Sequence, residues 1–123
     1  MATTILLLDG ESIATDEATT VNITPTCGLA NSLLVVAKAA FGAGDKALKL
    51  ALQGSFDDDV WFSFTAQDLT SATLAYTNQL TLAGDVAASV LLYKGCIAPY
   101  MRIQIDNTGS AAATTLTLGV CGV

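Results

Sequence analysis

The sequence predicts an all-β protein, folded as an antiparallel β-sandwich of about nine short strands. Three observations lead to this prediction. Apolar and polar side chains alternate along several segments, which is the period of a half-buried strand. Turn signals rich in Gly, Asp and Asn separate these segments, and no segment has a clear helical period. A jelly roll is one strand order that fits this pattern.

The first four strands are predicted in the N-terminal half of the chain, at residues 4–8, 19–23, 33–37 and 47–54. The sequence "DGES" is predicted as the turn after the first of them. The alanines of the third would suit a helix, but its Leu-Leu-Val-Val run and the Gly-rich break after it favour a strand. In the fourth, "ALKLALQG", the residues Leu48, Leu50 and Leu52 share one face.

The other five strands are predicted in the C-terminal half, at residues 60–65, 79–82, 88–93, 100–107 and 114–120. In "YMRIQIDN" every second residue is apolar, as a half-buried strand requires. The "NTG" turn after this strand is predicted to place Asn107 and Gly109 at positive backbone angles. The segment "AQDLTSATLAYTNQ" (66–79) fits either a long loop or a short helical turn capped by Asp68.

Composition indicates the size of the protein and its class of partner. Its 123 residues suit a single domain spanning 1–123. Only 13% of them are charged while 52% are hydrophobic, and the net charge is −6. Because so few polar side chains can cover an isolated monomer, we expect part of the surface to be buried against other subunits. The five Lys and Arg residues are scattered, which predicts no nucleic-acid partner.

The sequence predicts no membrane partner and synthesis in a cytoplasm. No apolar stretch approaches the roughly 18–20 residues needed to cross a bilayer. The N-terminal "MATTILLLDGES" lacks a basic segment, and its apolar run ends at Asp9, so it is predicted as a strand rather than a signal peptide. Cys27, Cys96 and Cys121 form no CxxC pair. We interpret them as buried thiols, with an intermolecular disulfide as the alternative.

The residue types that catalysis uses most often are scarce in this sequence. There is no histidine, which removes the usual general base near neutral pH and the commonest metal ligand. No phosphate-binding Gly-rich loop precedes a helix. The sequence therefore predicts a protein that is not an enzyme and has no cofactor.

Three consecutive aspartates, Asp57, Asp58 and Asp59, form the one cluster of ionisable residues that merits a functional hypothesis. Asp favours turns because its side chain can hydrogen-bond the backbone two residues on, so a hairpin turn between two strands is predicted. A calcium site is the alternative, but it needs about six to eight oxygen ligands, and the spacing of an EF-hand loop is absent. A pair of catalytic carboxylates would need two different environments, which nothing in the pattern indicates.

Trp61, the only tryptophan, follows this turn. The alternation predicts that Val60, Phe62 and Phe64 face the core and that Trp61 lies on the opposite face. There we expect it to anchor a subunit interface or to be buried in a second core. A platform on which a sugar stacks is the alternative.

Segment 1–23 has two interpretations. Its strands are short, and the polar "DGESIATDEATT" between them is loosely specified. One interpretation is an arm that reaches a neighbouring subunit, with Ile5 and Leu7 in the interface. The other is that the segment pairs as the first strands of its own sandwich.

Two stretches, "LALQGSFDDDVWFSF" and "YKGCIAPYMRIQIDNTGSAAATTLTLGV", resemble small β-sandwich structural proteins of tailed-bacteriophage virions. Those proteins combine a Gly-Ser turn with acidic residues before a Trp, a "Y-x-R-I" strand, an "NTG" turn and a Thr-rich last strand. Here the acidic turn has "DDD" where a Gly-containing turn is more usual. The resemblance covers residues 47–120. It implies a virion role, such as that of a capsid decoration (cement) protein, which is commonly a trimer on the local three-fold axes of the shell.

We therefore predict a non-enzymatic virion protein, made in the host cytoplasm, that decorates the capsid. Its predicted partners are other copies of itself, as a homotrimer, and the major capsid protein, between whose copies it would bind. One alternative is a tail or baseplate component of the same fold. The other is a carbohydrate-binding or adhesin module in which Trp61 and the aspartate turn form a calcium-assisted site.

Overall fold

The computed structural model describes residues 3–23, 32–83, 86–94 and 98–122. These residues form eleven β-strands and no helix. The strands are β1 (Thr3–Ile13), β2 (Ala18–Asn22), β3 (Ser32–Phe41), β4 (Leu48–Ser55), β5 (Phe62–Ser63), β6 (Ala66–Asp68), β7 (Tyr76–Thr77), β8 (Leu80–Leu82), β9 (Val86–Lys94), β10 (Tyr100–Asn107) and β11 (Ala113–Gly122). None of the described residues forms a helix long and apolar enough to cross a membrane.

Two antiparallel sheets pack together. The larger has the strand order β1-β11-β3-β9-β6-β7, and the smaller has the order β2-β10-β4-β5, with β8 also pairing with β4. Three short strands, β5, β6 and β7, lie between β4 and β8 along the chain, which leaves eight others. Numbered along the chain, those eight give the orders 1-8-3-6 and 2-7-4-5, which is a jelly roll. The predicted β-sandwich is therefore confirmed, with a jelly-roll strand order.

The core lies between the sheets and is filled by alternate residues of the long strands. In β10 the side chains of Met101, Ile103 and Ile105 are at most 2% exposed. The paired strand β4 places Leu52 beside Ile103 and Leu50 beside Ile105, and both are equally buried. Burial of each such side chain stabilises the fold by about 1.5–3 kcal/mol relative to an exposed one. The alternation in the sequence thus predicts the core correctly in these strands.

The "DGES" segment is not a turn, so that prediction is wrong. β1 continues through it and stays paired with β11. The register shifts after Leu6, Leu8 and Glu11, and Gly10 has a φ of 69°. Extra residues are therefore accommodated as bulges within one long strand. Bulges and charges of this kind also hinder an edge strand from pairing with other chains.

The described part of segment 1–23 pairs within its own chain. β1 forms the edge of the larger sheet beside β11, and β2 forms the edge of the smaller sheet beside β10. Leu7 is half-buried and packs against the core, whereas Leu6 is 55% exposed. The side chain of Ile5 lies outside the described residues. Contact between this segment and a neighbouring subunit stays a prediction.

Of the three cysteines, the structure describes only Cys121. Cys27 and Cys96 lie outside the described residues, and Cys121 is half-buried on β11. Whether these residues form a disulfide therefore stays at the level of the sequence-based interpretation.

The side chain of Asn107 joins two connections at one end of the sandwich. It is fully buried, and its Nδ2 donates to the carbonyl oxygens of Ile13 at 3.4 Å, Ala14 at 3.2 Å and Ala111 at 2.9 Å. Its Oδ1 accepts a hydrogen bond from the Gly109 amide at 3.2 Å. A buried amide whose donors and acceptor are all used fixes the relative positions of the segments that it joins.

Gly109 packs against the connection between β3 and β4. A Cβ at this position would lie well inside contact distance of the Asp45 carbonyl oxygen and 2.8 Å from the Ala47 amide nitrogen. The Ala111 amide also donates to the Asp45 oxygen, at 2.9 Å. The "NTG" turn is present as predicted, but neither Asn107 nor Gly109 has a positive φ. Glycine is required at position 109 for space rather than for an unusual backbone angle.

Candidate interaction surface

Residues 56–79 form an insertion in the jelly roll, between β4 and β8, and contain the short strands β5, β6 and β7. Nine large hydrophobic residues are exposed in the described part of the chain. Six of them lie in this insertion: Phe56, Val60, Phe62, Leu69, Leu74 and Tyr76. Exposed apolar side chains concentrated on a segment that a rigid scaffold positions are typical of an interaction surface. The insertion is therefore the candidate functional site.

Asp57 organises the acidic loop at the start of the insertion. Its Oδ1 accepts hydrogen bonds from the Val60 amide, the Asp59 amide and the Ser55 hydroxyl, each at 3.0 Å. Asp58 has a φ of 61°, in the left-handed region that Asp tolerates better than most residues. Because β4 and β5 pair antiparallel on either side of this loop, the predicted hairpin turn is present.

The three aspartates of this loop have different roles. All three side chains are exposed, but Asp57 uses one carboxylate oxygen to hold the loop together, whereas Asp58 and Asp59 do not have this structural role. Across the described residues, no three Asp, Glu or Cys side chains are placed to hold a single metal ion. Asp58 and Asp59 are therefore the two carboxylates of the run that are placed to contact another molecule.

The stability of the acidic loop should depend on pH through the protonation of the Asp57 carboxylate. The Val60 and Asp59 amides and the Ser55 hydroxyl donate to its carboxylate, which lowers its pKa below the ordinary 3.8. Because the folded-state pKa is the lower one, the stabilisation is complete above pH 3.8 and is lost as the pH falls through the folded pKa. In an NMR titration we expect the Val60 amide resonance to shift with a midpoint below 3.8. Asp57→Asn should abolish this transition, and its persistence in that variant would contradict the assignment.

Three phenylalanines form a cluster beside the acidic loop. The ring centroid of Phe62 lies 5.7 Å from that of Phe56 and 5.2 Å from that of Phe64, which it meets edge to face. Phe64 packs against the core, and its ring occupies the space over Gly54, where a Cβ would lie 2.8 Å from the ring. Phe56 is 74% exposed. The cluster therefore extends from the core to the solvent.

The prediction that Val60 and Phe62 face the core is wrong, because Val60 is 69% exposed and Phe62 is 38% exposed. Only Phe64 packs inward, and it is half-buried. Alternation predicts orientation only in a continuous strand, and β5 is two residues long. We refer to residues 56–60 together with Phe62 as the acidic tip.

Trp61 packs on the outer face of the smaller sheet. The guanidinium carbon of Arg102 lies 3.9 Å from the centroid of the Trp61 ring, which is a cation–π contact. Arg102 Nε donates to Gln53 Oε1 at 2.8 Å, and Gln53 Nε2 donates to Gln104 Oε1 at 2.9 Å. Arg102 thus covers one face of the indole, and Trp61 is half-buried within its own chain. The role of Trp61 as an interface anchor stays a prediction.

Trp61→Ala is expected to destabilise the fold by about 1–2 kcal/mol, because it removes a cation–π contact and half-buried apolar area but leaves the core intact. Urea denaturation, monitored by circular dichroism, measures this change in the free energy of unfolding. Trp61→Phe keeps an aromatic face for Arg102 and should lose less stability. A loss of about 3–5 kcal/mol in the alanine variant would identify Trp61 as a core residue instead.

The second half of the insertion is a short β-hairpin with a loop at residues 69–75, so the predicted loop is present but shorter than residues 66–79, and the predicted helical turn is wrong. β6 pairs with β7 and also with β9, which extends the larger sheet. Asp68 does not cap a helix. Its Oδ1 accepts hydrogen bonds from the Thr70 amide at 3.0 Å and from the Thr70 hydroxyl, which stabilises a turn.

A shallow groove lies where this hairpin joins the larger sheet. The register places Tyr76, Gln67 and Leu92 in one row across β7, β6 and β9. Since Leu91 and Tyr93 of β9 are buried, this row is on the outer face of the sheet. The groove has about 300 Å³ of space including its open mouth, and it is lined by Thr65, Gln67, Tyr76, Leu92 and Lys94.

No residue of this groove is predicted from the sequence to be part of a functional site. Its lining comes from β6, β7, β9 and Thr65, which precedes β6, and these are brought together because β6 pairs with β9 and β7 pairs with β6. The β-favouring "AYT" within a polar stretch was the one local signal for a strand there.

Comparisons with known proteins identify the fold but no family. No protein-family model matches this sequence, and no curated protein matches it either. The crystal structure of the SPBc2 prophage-derived protein YomS is similar in fold, with a TM-score of 0.57 at 7% sequence identity, over 99% of this chain and 92% of that chain. The crystal structure of the Yersinia pseudotuberculosis-derived mitogen has a TM-score of 0.42 at 12% identity, over 100% of this chain and 86% of that chain, which is too low to support a conclusion.

Proposed function

We propose that this chain is a non-enzymatic structural protein of a phage virion, and specifically a capsid decoration protein. In this role it binds between major capsid proteins and stabilises the shell. It acts as a self-associating protein, in the predicted form of a homotrimer. A tail or baseplate component of the same fold is the nearest alternative.

The observation that carries this proposal is the position of the exposed apolar side chains. The acidic tip exposes Phe56 and Val60 beside the smaller sheet, and the groove exposes Tyr76 on the outer face of the larger sheet. The chain therefore has two separate apolar surfaces, as a protein that links neighbouring subunits requires. The low proportion of charged residues, 13%, agrees with a surface that is partly covered in an assembly.

Two further observations are consistent with a phage origin. One is the resemblance of residues 47–120 to structural proteins of tailed-phage virions. The other is the similarity in fold to YomS, which is described as prophage-derived. The absence of histidine from the sequence supports the non-enzymatic part of the proposal.

Binding to shells tests the proposal directly. Shells of the phage that encodes this chain, assembled without it, are incubated with the purified protein, sedimented, and imaged by electron cryo-microscopy. We expect the protein to sediment with the shells, to add density at regular positions between capsid subunits, and to raise the temperature at which the shells break. Failure to bind the shells, together with binding to purified tails, would favour the tail alternative and overturn the decoration role.

A further inference from the structure

We propose that the acidic tip of one copy of this protein docks in the groove of a second copy. The contact joins two different surfaces, so it is a head-to-tail interface. This inference rests on the self-association part of the proposed function and is independent of binding to a shell.

The two surfaces match in their apolar chemistry. Phe56 projects from the tip with 74% of its surface exposed, and Phe62 stacks against it at 5.7 Å. The groove offers Leu92 and the ring of Tyr76, which is 65% exposed. An aromatic side chain that enters such a groove buries apolar surface on both partners, and aromatic residues anchor protein interfaces more often than most residue types.

The two surfaces also match in charge. The tip carries the exposed carboxylates of Asp58 and Asp59, and the groove is bordered by the exposed Lys94. Of the strands at the groove, β7 and β9 contain no acidic residue, and β6 contains one, Asp68, whose Oδ1 is hydrogen-bonded by the Thr70 amide and hydroxyl. An approaching acidic tip therefore meets Lys94 with a single, already hydrogen-bonded carboxylate nearby, which favours the encounter.

The same charges argue against a symmetric contact between two tips. Such a contact would bring Asp58 and Asp59 of one copy against the same residues of the other, and like charges placed together destabilise an interface. Because the tip and the groove belong to different sheets, one tip-to-groove contact leaves the first copy with an unused groove and the second copy with an unused tip. Head-to-tail contacts of this kind close into a ring when the rotation between copies allows it, as in the predicted trimer.

Two variants separate the two surfaces. The tip variant carries Phe56→Ser and Asp59→Lys, and the groove variant carries Tyr76→Ser and Lys94→Glu. All four positions are exposed, and Asp57 is left intact because it holds the loop together. The control variant, Asp45→Lys with Ala112→Ser, changes one exposed acid and one exposed apolar side chain in the connections at the other end of the sandwich, about 20–25 Å from the tip by the length of β4.

Light scattering over a series of protein concentrations measures the mass of each sample. We expect the wild-type protein and the control variant to associate, and each of the two surface variants to remain monomeric. An equimolar mixture of the tip and groove variants should reach twice the monomer mass, because the intact tip of one then meets the intact groove of the other and no further contact is available.

Three results would overturn the inference: a wild-type protein that stays monomeric, a surface variant that associates like the wild type, or a mixture that stays monomeric while the wild type associates. Shell binding is scored separately with the same variants. Shell binding without self-association would overturn this inference and leave the decoration role in place, whereas self-association without shell binding would do the reverse.

Discussion

Gly109→Ala is expected to destabilise the protein by at least about 3 kcal/mol, the largest effect of any methyl-sized addition that the structure indicates. The new Cβ would collide with the backbone of the connection between β3 and β4, at the Asp45 carbonyl and the Ala47 amide. Backbone atoms cannot rotate away as the end of a side chain can. The whole connection must therefore move, and the hydrogen bond from the Ala111 amide to the Asp45 oxygen would be lost.

A matched substitution provides the control for Gly109→Ala. A Cβ added at Gly42 would have only the Ala112 carbonyl oxygen within reach, at an ordinary 3.8 Å. Gly42→Ala should therefore change the free energy of unfolding by less than about 1 kcal/mol, in either direction. Urea denaturation of both variants measures the difference. Equal effects at the two positions would show that crowding at Gly109 is not what makes glycine necessary there.

Asn107→Ala is expected to cost about 3–5 kcal/mol, although the new residue is small and suits the space. The substitution leaves the buried carbonyl oxygens of Ile13 and Ala111 without their side-chain donor and the Gly109 amide without its acceptor, whereas the part-buried Ala14 oxygen still accepts from the Glu17 amide at 3.2 Å. Each buried polar group that loses its partner costs about 1–3 kcal/mol. The side-chain volume that is removed adds a small cavity to this cost.

Hydrogen exchange distinguishes this explanation from a general loss of packing. In the Asn107→Ala variant, the Gly109 amide should exchange faster than in the wild type. The increase should be larger for this amide than for amides in the centre of β10. Asn78 is exposed, and Asn78→Ala should change the stability by less than about 0.5 kcal/mol. If Asn107→Ala loses no more stability than Asn78→Ala, the buried amide network does not contribute to stability as inferred.

The parts of the fold that could be predicted from the sequence are the strands in which buried and exposed residues alternate without interruption. β4, β10 and β11 are long, and their alternation correctly indicates which residues are buried. β1 is different because its bulges interrupt the period, and a bulge has the same composition as a turn. For that reason "DGES" suggests the end of a strand although the strand continues.

The candidate surface could be predicted only in part. The acidic loop follows from the turn-forming chemistry of aspartate, which the sequence contains. The different roles of Asp57, Asp58 and Asp59 do not follow, because they depend on which amide points at which carboxylate oxygen. The groove was missed because Tyr76 and Leu92 meet only through the pairing of β6 with both neighbours.

The buried role of Asn107 shows a further limit of prediction from local sequence. The "NTG" motif correctly indicates a turn, but the carbonyl partners in Ile13 and Ala14 come from the other end of the chain. A local pattern contains no information about such distant partners. It therefore predicted a backbone conformation, whereas the structure uses the residue for a tertiary contact.

The pairing of β1 with β11 has a consequence for how the protein is made. Among the described strands, β1 has β11 as its sheet neighbour, and β11 is also the strand that separates β1 from β3. On a ribosome, residues 3–13 emerge before residues 113–122, and among the described strands they have none to join until those later residues have been synthesised. The larger sheet can therefore close only once β11 has been synthesised, which disfavours strand-by-strand folding and agrees with the slow rates typical of all-β topologies.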